Sequence, residues 1–164
     1  MLDLGCGPGH VAAYLAAHGL DIQGLDLSPR MVDVARRRHP ALRFEVGDLR
    51  TLAAAGPRYA AIVAFYAIVH LRPAELAAAF AQMQGALQPG GLLALSFHVG
   101  DGVRHVDALW GVHAALDFVF FDPDAVCQAV AEAGMTVESC QQREPYPPAV
   151  EAQTRRCYLV ARRP

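Results

Sequence analysis

Several features that indicate particular partners are missing from this sequence. It contains no lysine, so its 14 basic side chains are all arginines, and 16 Asp and Glu residues outnumber them. The formal net charge is −2. The basic excess typical of nucleic-acid-binding proteins is therefore absent, and we expect no nucleic-acid partner.

Long apolar runs are absent as well. The longest extends from Ala60 to Val69, which is too short to span a bilayer and is typical of a buried strand. The first residues also lack the pattern of a secretory signal peptide. We therefore expect a cytoplasmic protein without membrane association.

Cysteine is scarce and scattered. The four cysteines, Cys6, Cys127, Cys140 and Cys157, include no C-x-x-C pair. This spacing argues against a disulfide framework and against a zinc site. We predict free, buried thiols and no metal.

What the sequence does contain is an alternation of apolar strand-like runs with helical patterns. Its 164 residues, 54% of them hydrophobic and 18% charged, fit one globular domain over residues 1–164. The alternation predicts an α/β fold with a parallel sheet. The first five predicted strands are Leu2 to Leu4, Asp21 to Asp26, Arg43 to Val46, Tyr59 to Tyr66 and the "LLALSF" segment.

The second half of the chain is less regular. Residues 99–121 are rich in His and aromatic side chains and are interpreted as a loop or insertion above the sheet. Ser28-Pro29 and Asp122-Pro123 predict helix starts, and Gly134 closes the second of these helices. A further helix is expected to begin at Pro73 and to end at "QPGG". Two final strands are expected over Met135 to Cys140 and Arg156 to Ala161, joined by the proline-rich "REPYPP" linker.

A glycine-rich turn, "LGCGPGH", follows the first predicted strand. Ligands of open α/β sheets bind at the carboxyl ends of the strands, and glycine lets a ligand approach the backbone. Gly5 and Gly7 fit the dinucleotide fingerprint, but its third glycine falls on His10, and Pro8 lacks an amide that could bind a phosphate. These departures disfavour NAD.

Three carboxylates are predicted at neighbouring strand ends. Asp26 ends the second strand, where it can accept hydrogen bonds from ribose hydroxyls, and Asp48 after the third can accept from an adenine amino group. Asp3, beside the glycine turn, suits an ammonium group. Three acids around one cleft repel a pyrophosphate and favour a cationic nucleoside.

The segments "LDLGCGPGH", "GLDLSPRMVDVAR", "FEVGDL" and "LQPGGLLALSF" resemble, in order and spacing, the motifs of class I S-adenosylmethionine-dependent methyltransferases. The resemblance covers essentially the whole chain and is closest to small-molecule enzymes of actinobacterial type. It implies a Rossmann-like doubly wound sheet, mostly parallel, with an antiparallel last strand. It also implies S-adenosylmethionine as the cofactor.

The resemblance assigns roles to individual positions. Gly5, Cys6, Gly7 and Gly9 would lie behind the methionine moiety, with Asp3 near its ammonium group. Asp26 would bind the ribose hydroxyls, and Leu27 and Met31 would flank the adenine. Asp48 and the Leu49 backbone would receive the adenine amino group. Phe65 and Tyr66 would line the methionine side, with His70 beyond them.

Two departures from the family pattern are visible. Members usually carry one or two helices before the first strand, which cover the cofactor, and the printed sequence begins at that strand. The fourth strand commonly starts with an aromatic-Asp pair, whereas here it reads Tyr59-Ala60.

Residues that contact the methyl-accepting substrate are expected after the fifth strand. The candidates there are His98, Arg104, His105 and His113, with Trp110, Phe118, Phe120 and Phe121 as core or pocket wall. Glu144 and Tyr146 are predicted near the same opening, and Arg155 and Arg156 at a solvated strand start. If the nucleophile is a hydroxyl, His98 and His105 are the candidate general bases.

The sequence thus predicts methyl transfer to an O, N or C atom of a small molecule, by a monomer or a homodimer. Two alternatives stay open. One is a protein with this fold that does not transfer methyl groups, such as a binding module or a cyclase. The other is an NAD(P)-dependent oxidoreductase.

Overall fold

A computed structural model of the protein describes residues 1–56, 58–109 and 112–164. Strands in these ranges are β1 (Leu2–Leu4), β2 (Gln23–Asp26), β3 (Arg43–Val46), β4 (Tyr59–Phe65), β5 (Leu87–His98), β6 (Val103–Leu109), β7 (Val112–Val119), β8 (Thr136–Arg143) and β9 (Arg156–Arg162). Seven form one sheet in the order β3-β2-β1-β4-β5-β9-β8. β1 to β5 are parallel, and β9 is antiparallel to both of its neighbours.

Four α-helices connect the strands. They are α1 (His10–Ala17), α2 (Pro29–Arg38), α3 (Leu76–Ala86) and α4 (Pro123–Glu132). The predicted helix starts are confirmed: Ser28 accepts a hydrogen bond from the Met31 amide before α2, and Asp122 accepts one from the Asp124 amide before α4. Single 3₁₀ segments cover Leu49–Ala55, Ile68–His70 and Pro73–Glu75.

The helices cover both faces of the sheet. One core cluster packs α3 and α4 against β4, β5 and β9, and its fully buried side chains include Phe80, Phe97, Met83, Leu95 and Val126. A smaller cluster packs α1 and α2 against the other face through Ala12, Val32, Ala35 and Phe44. This arrangement confirms the predicted doubly wound α/β sheet with an antiparallel strand near its end.

The interpretation of residues 99–121 as irregular was wrong. β6 and β7 form an antiparallel hairpin, and a bridge between Val99 and Phe121 closes its base. The pairing register shifts between Val106 and Ala108. This bulge breaks the period-two alternation by which strands are recognised, because the extra residue moves the following side chains to the other face.

The "QPGG" segment was also misplaced. It was expected to end the helix before β5, but α3 ends at Ala86 and the segment lies within β5. The β4–β5 register is irregular here, between the pairs Tyr59–Leu87 and Ala61–Leu92. Gly90, with φ +77°, allows the strand to bulge at this point.

None of the helices in the described part of the chain combines the length and the apolar character needed to cross a membrane.

Candidate functional site

The glycine loop of residues 5–9 joins β1 to α1 at the carboxyl edge of the sheet. Gly7 has φ +51°, and a Cβ added there would meet no atom within 4 Å, so the loop backbone faces open space at this point. At Gly9, with φ +83°, an added Cβ would lie 2.7 Å from Phe44 Cζ. The loop therefore needs glycine for its conformation at Gly7 and for both conformation and packing at Gly9.

The Asp26 carboxylate, at the end of β2, holds the loop in place. Its Oδ2 accepts the Gly7 amide hydrogen at 2.8 Å, and its Oδ1 accepts that of Ser28 at 2.8 Å. One side chain thus fixes both the glycine loop and the start of α2. Each carboxylate oxygen has a second lone pair, so hydroxyl groups can be bound in addition.

Asp3, one strand away, is 2% exposed. Its Oδ2 accepts the Ala12 amide hydrogen at 3.0 Å, so it caps the first turn of α1. Burial, together with the negative charge of Asp26, raises the pKa of Asp3 to about 6. A cationic group in the cleft would favour the ionised form of this carboxyl.

Asp48 begins the 3₁₀ segment at Leu49. Its Oδ1 accepts the Arg50 amide hydrogen at 2.9 Å, and Arg50 Nη2 donates to Oδ2 at 2.6 Å. Hydrogen bonds from the Arg50 side chain lower the pKa of Asp48. The assignment of Asp48 and Leu49 to an adenine amino group stays a prediction, and Arg50 would compete with that group for the carboxylate.

Apolar side chains are exposed around the loop. Leu27 is 63% exposed, Met31 41% and Phe65 36%. Leu27 and Met31 follow β2, and Phe65 ends β4, so they flank the loop from the two strands beside β1. This is the edge at which ligands bind to open α/β sheets, and a ligand there would cover these side chains.

Tyr66, directly after β4, has a strained backbone. Its φ of +58° is the one positive value at a non-glycine residue within the described ranges. Its hydroxyl accepts a hydrogen bond from Arg156 Nε at 2.7 Å, and its ring centroid lies 5.0 Å from that of His98. Strain at a strand end that faces a cleft is typical of functional sites.

His98 ends β5 among aromatic rings. Its Nδ1 shares a hydrogen bond of 2.8 Å with Thr154 Oγ1, and its ring stacks on Phe120 at 5.3 Å. Burial and the positive charges of Arg156 and Arg104 lower the pKa of His98 to about 4. His98 is therefore neutral at neutral pH and is a weak base.

The interpretation of Arg156 as a solvated residue was wrong. Its side chain is 7% exposed, and its Nη1 lies 2.7 Å from Glu151 Oε1. Arg143 Nη1 donates to the same oxygen at 2.6 Å. The hydrogen bonds from Arg143 are the main cause that lowers the pKa of Glu151 to about 2. No local motif could have revealed Arg156, because its partner Tyr66 lies 90 residues away in the sequence.

Residues 1–91 match the family model described as a methyltransferase domain. The chain belongs to this methyltransferase family. It is 30% identical over 110 residues to malonyl-[acyl-carrier protein] O-methyltransferase of Serratia marcescens, covering 67% of this chain and 42% of that protein. It spans 31% to 55% of the length of the curated relatives that it matches.

The fold of this chain is also found in solved structures of methyltransferases. An S-adenosylmethionine-dependent methyltransferase from Methanosarcina mazei superposes with a TM-score of 0.86 at 15% identity, over 99% of this chain and 91% of that one. The glycopeptide N-methyltransferase MtfA, in complex with S-adenosylmethionine, superposes with a TM-score of 0.78 at 16% identity, over 99% and 86% of the two chains.

Two further predicted histidines are associated with the hairpin: His70 contacts it, and His105 is part of β6. His70 Nδ1 donates to the Asp117 carbonyl at 3.0 Å, and its ring lies 5.1 Å from that of Phe118. The exposed His105 bonds Asp117 Oδ1 through Nδ1 at 2.6 Å and pairs with Asp107 through Nε2 at 3.3 Å. Of the two predicted bases, His98 lies beside Tyr66, whereas both ring nitrogens of His105 contact aspartate side chains.

Sequence reasoning missed a cluster of thiols. Cys140 Sγ lies 3.4 Å from Cys157 Sγ, and Cys127 also contacts Cys140. All four thiols are free, but Cys140 is exposed and Cys127 is half-buried, so the prediction of buried thiols holds for Cys6 and Cys157 alone. Cys6 is buried, and its desolvation raises its pKa to about 12, so it packs as an inert loop residue. No group of metal-ligating side chains is found across residues 1–56, 58–109 and 112–164.

The remaining predicted residues lie around Arg143. The Arg143 guanidinium stacks 4.1 Å from the Tyr146 ring, and Glu144 pairs with Arg155 at 3.0 Å. Trp110 and the side chain of His113 lie outside the described residues.

Proposed function

We propose that this domain binds S-adenosylmethionine and transfers its methyl group to a small-molecule acceptor. The family match over residues 1–91 carries the proposal, because that segment holds the glycine loop, Asp26 and Asp48. The names of the similar proteins include both O- and N-methyltransferases. The class of acceptor atom therefore does not follow from family membership.

The carboxylates and apolar side chains around the glycine loop suit S-adenosylmethionine. Asp26 would bind the ribose hydroxyls while it keeps its hydrogen bonds to the Gly7 and Ser28 amides. Asp3 would face the ammonium group, and Leu27 and Met31 would flank the adenine. The Asp3 carboxylate, beside the glycine loop, would repel the pyrophosphate of NAD, and this argues against the oxidoreductase alternative.

The cofactor supplies a methyl group on a sulfonium leaving group. The chain would contribute mainly position, and an oriented pair of reactants can gain about 7–11 kcal/mol in this way. Phe65 and Tyr66, on the strand beside the glycine loop, would wall the methionine side and exclude water from it.

We infer that residues 1–164 act as one methyltransferase domain in the cytoplasm, on small molecules and not on nucleic acid. A homodimer is kept as the alternative to a monomer. Sedimentation velocity of the purified chain distinguishes the two states.

Turnover of tritiated S-adenosylmethionine with pools of small acceptors tests the proposal. We expect label in an acceptor, and formation of S-adenosylhomocysteine that depends on it. Cofactor binding without transfer to any acceptor would support the binding-module or cyclase alternative instead.

The Asp26→Ala variant tests whether Asp26 contributes to cofactor binding. Removing a charge-assisted hydrogen bond should weaken cofactor affinity by about 1.5–3 kcal/mol. Asp21→Ala is the control, because the Asp21 side chain is 91% exposed and precedes β2, at the opposite edge of the sheet. Equal affinities for the two variants would contradict the ribose assignment.

A further inference from the structure

The carboxyl edge of the sheet has a second part, beside the end of β5, whose charge differs from that around the glycine loop. We call it the acceptor mouth and define it by Tyr66, His98, Arg104, Phe118 and Phe120. The His98 ring lies 5.0 Å from Tyr66, 5.3 Å from Phe120 and 6.4 Å from Phe118. These rings form an apolar wall next to the carboxyl end of β5.

Arg104 places a positive charge at this wall. It lies opposite Phe118 in the hairpin register, and opposite residues of an antiparallel pair share a face. Arg104 is thus on the hairpin face that Phe118 presents to His98, and its charge contributes to the low pKa of His98. His105 and Asp117 are the next pair along and share the other face.

The charge of Arg104 is not compensated by the described part of the chain. No carboxylate from those residues forms an ion pair with Arg104, whereas Arg143 and Arg156 share Glu151 and Arg155 pairs with Glu144. Glu151 also acts on His98, but Arg143 and Arg156 pair with it, so Arg104 makes the acceptor mouth cationic. The carboxylates Asp3 and Asp26 make the cofactor side anionic.

The polar groups of the acceptor mouth are poorly suited to removing a proton. His98 shares its Nδ1 with Thr154 and is a weak base because its pKa is low. The Tyr66 hydroxyl accepts the Arg156 hydrogen bond, and its pKa is raised chiefly by burial. A nucleophile that is already ionised at neutral pH needs no such base.

We propose that the acceptor is a carboxylic acid, bound as its carboxylate by Arg104 with its apolar part against Phe118 and Phe120. This inference rests on the proposed function. A carboxylate oxygen forms the new bond to the methyl carbon, and the methyl–sulfur bond breaks with its electron pair staying on sulfur. The products are a methyl ester and S-adenosylhomocysteine, and no proton is released.

Binding of matched acceptor analogues tests the inference without requiring turnover. The probes are 3-phenylpropanoate, 3-phenylpropanol and 3-phenylpropylamine, titrated onto the full chain with and without saturating S-adenosylhomocysteine. We expect the carboxylate to bind at least tenfold tighter than the alcohol or the amine. Equal binding of all three, tighter binding of the amine, or no detectable binding of the carboxylate would overturn the inference.

Variants of Arg104 test whether this residue causes the preference for the carboxylate probe. Arg104→Gln should remove the tenfold preference, and Arg104→Lys should retain part of it, because the exposed side chain contributes its charge and not packing. Arg43→Gln is the control: Arg43 is an exposed arginine that begins β3 at the other edge of the sheet. A preference that survives in Arg104→Gln would contradict the assignment.

Proton counting separates this inference from the proposed function. Methylation of a hydroxyl or an amine releases one proton per turnover, whereas methylation of a carboxylate releases none. S-adenosylhomocysteine formation without acidification in weak buffer is expected. One proton per S-adenosylhomocysteine would overturn the carboxylate inference and leave the methyltransferase proposal intact, whereas no binding of S-adenosylhomocysteine would contradict the proposed function itself.

Discussion

At the scale of single residues, Asp3 combines a structural and a ligand-dependent role. Its carboxylate caps α1 through Ala12, yet burial raises its pKa from 3.8 to about 6. The folded state therefore binds a proton more tightly than the unfolded state. In the ligand-free protein, Asp3 contributes stability that is fully present below about pH 4 and is lost as the pH rises through about 6.

A cationic ligand should reverse this preference by stabilising the ionised carboxylate. At pH 5, one unit below its pKa, Asp3 is mostly protonated, and S-adenosylhomocysteine should bind about tenfold more weakly than at pH 7.5. Calorimetric titration at both pH values measures the effect. Asp3→Asn, which keeps an acceptor for the Ala12 amide, should flatten the difference, and an unchanged pH dependence would show that another group is responsible.

Arg155 and Arg156 provide a contrast between adjacent arginines. Arg156→Gln leaves the Tyr66 hydroxyl and one Glu151 contact without their charged partner in a buried setting, and should reduce the free energy of unfolding by about 3 kcal/mol. Arg155→Gln removes an exposed ion pair with Glu144, which is worth at most about 1 kcal/mol. Urea denaturation measures both, and equal losses would contradict the buried network.

Residue roles were predictable from the sequence where they depend on a local motif. Asp26 follows an apolar strand and precedes Ser28-Pro29, so its place at a strand end was readable and the structure confirms that place. The Arg156 contacts with Tyr66 and Glu151 depend on how a late strand and a proline-rich linker fold back over β5. No local sequence pattern predicts these contacts.

Strands and helices were predictable from the sequence where the residue pattern that marks them is regular. β1 and β3 have the predicted bounds, because a turn signal follows each strand directly: the glycine loop after Leu4, and Gly47-Asp48 after Val46. The β6–β7 hairpin escaped prediction because its bulge interrupts the alternation of side chains. The element that carries Arg104 was therefore the one least visible in the sequence.

His70 is one of the residues that attach the hairpin to the body of the protein, beside the bridge at its base. His70→Ala removes the hydrogen bond to the Asp117 carbonyl, worth about 1 kcal/mol, and the ring contact with Phe118. Amide hydrogen exchange in β6 and β7 should become about fivefold faster, because local opening of the hairpin costs less. β1 and β4 should be unaffected.

The control for this prediction is His18→Ala. His18 is exposed, and its Nδ1 donates to the Tyr14 carbonyl within the last turn of α1. Exchange in the hairpin should not change in this variant. If both variants leave hairpin exchange unaltered, His70 does not anchor the hairpin.

At the scale of the whole molecule, the topology separates two charge environments along one edge of the sheet. β1 and β2 bring Asp3 and Asp26 to the cofactor side, while β5 and the hairpin bring His98 and Arg104 to the acceptor side. The acidic half was predictable because its residues end neighbouring parallel strands. The basic half depends on the hairpin and on β9, which return to β5 from far along the chain.

The glycine loop and its carboxylates are the proposed binding site of an adenosyl cofactor other than a dinucleotide. The most direct measurement is calorimetric titration of the purified chain with S-adenosylhomocysteine, with NAD as the matched control. We expect saturable binding of S-adenosylhomocysteine that Asp26→Ala weakens, and no heat from NAD. Binding of NAD with no response to S-adenosylhomocysteine would contradict the assignment of the glycine loop to this cofactor.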